Sequence, residues 1–428
     1  MKRTHTRFHL FAMLVTLLTT LVATGCDQGD PPFVCTDSLG CVTVPPGKPI
    51  TIGVLQALSG KVSLLGQAQV RGLELALDHK DGKILNHPVL LHTEDTGCSP
   101  EGGANGALKI IADPEVVAIY GTTCSSDAAT ASQIMSDAGL IMISGNNSAP
   151  MLTSVAGQKA PHWHPGYFRT APNEENAGRA AALFAFNTLG LRRAATIHDS
   201  DIYTRGLVSG FTKAFEELGG KLVLSASINK GDTDMEPVVT AVATSQAELL
   251  FFPLFQPEGN DLLQQARKNA GLNAHKTVLM SDGALIEGSF ISATGDEARG
   301  MYFVGPVRPA GPEVEEMEAA YEKKYQEKAT VSYYLSGYDG ASLLFHALEQ
   351  AAIQEKDGTL RIGRQKLRDT LYGIQGFKGV TGNLRCDQFG DCAQPAFNIL
   401  QLDDPAQGVA GLTANVKFTY RPDTSVQK

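Results

Sequence analysis

From Ile50 onward, apolar runs of strand length alternate with stretches whose apolar residues recur at helical spacing. "ITIGVLQALSG" (residues 50–60) reads as a strand and turn, and "GQAQVRGLELALDHK" (66–80) as a helix with one apolar stripe. "HPVLLHTED", "EVVAIYG" and "LIMISG" read as further strands, separated by the helical patterns "EGGANGALKIIAD" and "DAATASQIMSDAG". The alternation restarts with the helix "NAGRAAALFAFNTLG", the strand "RAATIHD", the helix "RGLVSGFTKAFEELGG" and the strand "KLVLSASI". A helix near 235–246, the strand "AELLFFPLF", a helix through 259–270 and the strand "KTVLMSDG" follow. Strands alternating with helices imply a mostly parallel sheet covered on both faces. The restart predicts two doubly wound α/β units in tandem, as a chain of this length needs more than one core.

In such sheets ligands sit beyond the carboxyl ends of the strands. Here those ends are "QALSG", "EDTGCS", "YGTTCSS", "ISGNNSAP", "IHDSDIY", "FFPLFQPEG" and "LMSDGALIEG", crowded with Ser, Thr, Asn, Asp and Gly. In "VVAIYGTTCSSDAATASQI" an apolar run gives way at Gly121 to five residues bearing OH or SH groups, and a helical pattern begins around Asp127. Hydroxyls and unpaired N–H groups at a strand-to-helix turn suit an anion.

The N-terminus carries Lys2, Arg3 and Arg7, then an apolar stretch from Leu10 to Ala23 and "LVATGC" ending at Cys26. This reads as an export signal (residues 1–26) with a lipobox whose Cys26 takes lipid, the stretch being short for a membrane span. Residues 27–48 read as a Pro- and Gly-rich tether. Removing residues 1–26 takes away three basic residues and no acid, moving the net charge from −9 to −12. That balance disfavours nucleic acid and an anionic membrane surface as partners.

Of the 7 cysteines, six remain beyond Cys26, an even set that suggests disulfides in an exported protein. Cys35 and Cys41, like Cys386 and Cys392, have a spacing that suits a local loop, while Cys98 and Cys124 would close over a longer distance. If the second and third strands flank the first, the loops bearing Cys98 and Cys124 meet and a bond there braces the binding rim. Zinc is disfavoured by the absence of close C-x2-C spacing.

Enzymatic motifs are missing. There is no G-x-x-x-x-G-K-[ST], no G-x-G-x-x-G after the first strand and no G-x-S-x-G elbow. His162 and His164 in "PHWHPGY" invite a metal, but the flanking prolines argue for a loop on which they would not converge. His198, Asp199 and Asp201 in "IHDSD" lack a neighbouring nucleophile and read as rim polarity. No cofactor or metal is expected.

Taken in order, "ITIGVLQALSG", "GLELALD", "YGTTCSSDAATAS", "GLIMISGNNSAPMLT", "YFRTAPNEENAG", "IHDSDIYTRGL", "LLFFPLFQPEG", "GMYFVGP", "YYLSGYDGASLLFHAL" and "GVTGNLRCDQFGD" resemble the leucine/isoleucine/valine-binding proteins. These are the extracytoplasmic receptors of branched-chain amino-acid ABC importers, with the type I periplasmic fold. The resemblance implies two Rossmann-like lobes, residues 49–170 with 309–375 and residues 171–308 with 376–428. Three crossings then fall near Arg169–Pro172, Gly305–Pro309 and Ile374–Gly379. It also implies a Cys98–Cys124 disulfide. Ser125 and Ser148 would meet a ligand carboxylate, and the Asn146 backbone and Asp282 an ammonium group. Tyr203 would supply an aromatic wall. Leu65 stands where the family often has an aromatic, and Phe255 where Tyr is commoner, so the pocket walls would be less polar or differently shaped. The expected protein is a lipid-anchored, monomeric periplasmic receptor that binds an amino acid by hinge closure and passes it to a permease. The alternative is a ligand-sensing subunit of the same fold.

Overall fold

The computed structural model describes residues 33–422. The chain divides into a short unit, residues 1–35, and a large one, residues 36–428. Cys26 and the export signal lie outside the described residues.

The large unit holds two α/β lobes. The first is built on five parallel strands, β1 (Ile50–Gln56), β2 (His87–Asp95), β3 (Val116–Gly121), β4 (Met142–Ser144) and β5 (Tyr167–Arg169). Their spatial order is β2-β1-β3-β4-β5, with the short strand Lys83–Ile84 antiparallel on the β2 edge. Every residue of β1 and β3 is buried, because helices cover both faces. On one face α1 (Ser63–Asp78) packs beside a long later helix, Tyr333–Ala351. On the other lie α2 (Pro100–Ile111) and α3 (Ser125–Asp137), through Ala107, Ile110, Ala128 and Ala131. α2 starts cleanly because the Ser99 side chain accepts the Gly102 N–H and Pro100 occupies the first turn.

The second lobe begins with α4 (Glu175–Leu183) and contains β6 (Arg193–His198), α5 (Ile202–Glu217), β7 (Lys221–Ser227), α6 (Glu236–Ser245) and β8 (Leu249–Phe251). It continues with α7 (Glu258–Lys268), β9 (Val278–Asp282) and β10 (Tyr302–Pro306). β11 (Phe397–Gln401) and β12 (Val416–Tyr420) complete a sheet ordered β7-β6-β8-β9-β10-β11-β12. The first five strands in that order are parallel and the last two join antiparallel. An apolar cluster that includes Leu65 and Ala68 of α1 together with Tyr203, Phe211 and Phe255 of the second lobe spans both lobes.

Two segments depart from the sequence reading. Residues 27–48 are not all tether. Cys41–Val44 is a strand, antiparallel to Leu360–Gly363, which in turn pairs Ala352–Gln354. Val42 and Val44 point into the first lobe's core, which explains the pairing of so short a segment. The third crossing lies later than Ile374–Gly379. The hairpin Phe377–Gly379/Gly382–Leu384 stays with the first lobe, where Leu384, Cys386 and Cys392 join its core. Asp339 anchors the hairpin by accepting the Val380 and Thr381 N–H groups at 2.7 and 2.8 Å. The chain reaches β11 only beyond Cys392, whose N–H bonds the Arg169 carbonyl at 3.0 Å.

Candidate functional site

The first lobe presents the turn between β3 and α3 to the second. Cys124, in extended backbone, precedes the helix, so Ser125 and Ser126 sit in the first turn, two positions ahead of the start the sequence pattern suggests. N–H groups there lack intrahelical acceptors. The turn is fixed from several sides. Thr123 Oγ1 donates to Gln56 Oε1 at 2.7 Å and accepts the Ala57 N–H at 2.8 Å. Asn146 Nδ2 donates to the Thr123 carbonyl at 2.7 Å, and Ser144 Oγ to the Thr122 carbonyl at 2.8 Å.

The order β2-β1-β3 brings the loops after β2 and β3 together, and the Cys98–Cys124 disulfide joins them. Cys386 and Cys392 are likewise bonded to each other, and Cys35 and Cys41 are each disulfide-bonded.

Between the lobes lies a cavity of about 30 Å³ lined by Leu65, Ser125, Asn146, Ser148, Tyr203 and Phe255, among others. These are six of the seven ligand-contact positions expected from sequence. The Tyr203 and Phe255 rings lie with centroids 5.2 Å apart. The seventh, Asp282, is fully buried at the end of β9, behind Tyr203, whose hydroxyl donates to it. The Ala284 N–H also reaches Asp282 at 3.2 Å, so this carboxylate caps the turn Gly283–Leu285 as well. Burial pushes its pKa up to about 6, against the opposing hydrogen bond from Tyr203.

Sequence reasoning missed Glu174. It stands on the first crossing, lines the same cavity and accepts the Ser148 hydroxyl at 2.7 Å. Burial and then the charge of Asp282 push it up to about 8. Its only sequence signal is a place five residues beyond Arg169, where an acid at the head of a helix is otherwise unremarked.

Arg169, fully buried, holds the crossing in place. It pairs with Asp391 and donates to the Ala149 carbonyl at 2.8 Å and to Thr153 Oγ1 at 2.5 Å. A second, open groove of about 760 Å³ is lined by His162 and His198 with α5 residues such as Arg205 and Lys213. It unites the two histidine motifs outside the interlobe cavity.

The family of periplasmic binding proteins matches residues 49–405. The Leu/Ile/Val-binding protein homolog 3 of Brucella melitensis is 25% identical over 357 residues, 83% of this chain and 92% of its own length. A leucine-, isoleucine-, valine-, threonine- and alanine-binding protein of Pseudomonas aeruginosa is 25% identical over 355 residues, 82% of this chain and 89% of its own. Among solved structures, a leucine-binding protein of Thermotoga maritima superposes with a TM-score of 0.75 at 21% identity, covering 87% of this chain and 99% of that one. A solute-binding protein of R. palustris in complex with benzoate gives 0.71 at 20% identity, covering 87% and 96%.

Proposed function

The chain belongs to the periplasmic binding protein family, in its Leu/Ile/Val-binding group, and on that premise we propose that it is an extracytoplasmic receptor for an amino acid, of branched-chain type or a close analogue, serving an ABC importer. Ser125 and the free N–H groups of the first turn of α3 receive the carboxylate. The Asn146 carbonyl and Asp282 receive the ammonium group. Leu65, Tyr203 and Phe255 enclose the side chain. Binding closes the lobes about their crossings, and the closed form docks on the permease. The protein works as a monomer held to the membrane by lipid on Cys26, and it carries out no chemistry.

The observation that supports this reading most is convergence. Side chains from two lobes meet at one cavity, lined by a helix start and the buried acid Glu174, with the buried Asp282 behind Tyr203. Only a ligand carrying both charges satisfies both sides. The relative that holds benzoate suggests an aromatic acid instead, but such a ligand leaves Asp282 and Glu174 without a cation.

A thermal-shift screen of the twenty free L-amino acids, followed by calorimetry of the hits, tests the proposal. Ligand at about 100 times its Kd stabilises by roughly 2.7 kcal/mol, enough for such a screen to register. If no amino acid shifts the transition, the proposal is wrong.

A further inference from the structure

Resting on the amino-acid reading above, we propose that Glu174 is a second acid of the ligand site, which turns the Ser148 hydroxyl into an acceptor and makes the cleft select an ammonium-bearing ligand over a carboxylate-only one. With Glu174 ionised, the one proton of the Ser148 hydroxyl goes to Glu174 Oε2 at 2.7 Å, while the Glu174 N–H returns a bond to the Ser148 carbonyl at 3.0 Å. What Ser148 then offers the cavity is lone pairs. They accept an N–H and repel a carboxylate, so Ser148 serves the ammonium end of the ligand and Ser125 the other.

The charge balance points the same way. Glu174 enters from the first crossing and Asp282 from the second lobe, and each is buried. Among the described residues, no lysine, arginine or histidine lines the cavity. The nearby buried cation, Arg169, is already paired with Asp391. The other titratable groups whose charge couples to Glu174 are the phenols of Tyr203 and Tyr333, neutral at working pH. Two acids without a facing cation are costly to ionise in a closed cleft. An ammonium beside Glu174 offsets both charges, since Asp282 is near enough to act on Glu174, whereas benzoate adds a third carboxylate.

A pH dependence follows. Burial and Asp282 push Glu174 up to about 8, so the ionised acid that an ammonium needs is a minority at pH 6. Affinity for an amino acid should rise by about tenfold or more from pH 6 to pH 8, since one pH unit below a pKa is a factor of ten in ionised fraction.

Calorimetry of the full protein with the twenty L-amino acids and with benzoate, at pH 6 and pH 8, provides the test. The wild type should bind an amino acid in preference to benzoate. E174Q should lose about tenfold or more for that amino acid at pH 8 and flatten its pH profile, with no loss for benzoate. E174D keeps the acid and should keep the pH dependence, which separates this role from support of the fold. Equal affinity and an equal pH profile in wild type and E174Q overturn the role of Glu174 while leaving the receptor reading intact. Benzoate bound by the wild type in place of any amino acid overturns both.

Discussion

Replacing Cys98 and Cys124 together by alanine should cost stability and ligand affinity at once. The bond links positions 26 apart in sequence. Loop-closure entropy for a ring of that size amounts to ~3.5 kcal/mol at 25 °C. The Cys386–Cys392 bond spans a separation of 6. The same relation gives ~2.2 kcal/mol for it. The two double-alanine variants should therefore differ by about 1 kcal/mol, with the rim pair the more damaging. Neither replacement is blocked by backbone at the rim, since alanine tolerates the left-handed φ of 58° at Cys98 about as well as cysteine does.

Urea unfolding followed by circular dichroism reads the loss for the whole chain. Fluorescence of the single tryptophan, Trp163, whose Nε1 donates to the Phe389 carbonyl at 3.0 Å, reads it for the first lobe. Function should suffer too, because Cys124 is the residue from which α3 starts and Ser125 follows it. Peptide mapping first establishes the bond in the wild type. If the rim variant then unfolds at the wild-type midpoint with an unchanged slope, the entropic account of this bond is refuted.

Three further outcomes are expected. Gly72→Ala places a Cβ 2.4 Å from the Tyr334 carbonyl oxygen and 2.6 Å from the Tyr338 nitrogen, both backbone atoms of the neighbouring helix. Forcing the two helices apart should lower stability by about 1–3 kcal/mol, and an unchanged Tm would contradict that close approach. Asp127 is fully buried, and burial pushes its pKa up to about 7 against the opposing hydrogen bonds from the Thr96 and Thr122 hydroxyls. The folded state therefore binds the proton more tightly than the unfolded one, and this group's contribution falls as pH rises from about 4 to 7. Asp127→Asn should match the wild type near pH 4 and exceed it at pH 8. The gain is a few kcal/mol at most, because each tenfold difference in proton affinity between the two states is worth about 1.4 kcal/mol; parallel Tm profiles across that range would refute the assignment. For the lipid anchor, wild type should partition with membranes and Cys26→Ala should not, and equal solubility in a fractionation would sink the lipoprotein proposal.

The fold was legible where local pattern and burial agree. β1 and β3 are continuous apolar runs because a parallel sheet buries both faces, and α1 announces itself by one stripe. Cys41–Val44 and the Phe377–Leu384 hairpin escaped that logic. Four residues carry too little periodicity to read, and the partner of Cys41 is Gly363, more than three hundred positions away. The hairpin belongs to the first lobe through Asp339 and Leu384, contacts that no pattern within the hairpin encodes.

The site divides along the same line. The strand ends could be singled out because topology decides where they point, and the family resemblance picked the individual residues within them. Ser125, Asn146 and Ser148 accordingly share one cavity with Tyr203 and Phe255. Glu174 was invisible because its burial is created by the crossing between lobes, and its polarity is ordinary for the start of a helix. The contrast with Asp282 shows why that omission matters. Asp282 already receives bonds from Tyr203, Ala284 and Ser281 within its own lobe, and its pKa rises only to about 6. Glu174 receives one side-chain bond, from Ser148, and rises to about 8. The acid with fewer native partners gains more from a cation, so on the amino-acid proposal an ammonium group would be worth most beside the residue the sequence did not reveal.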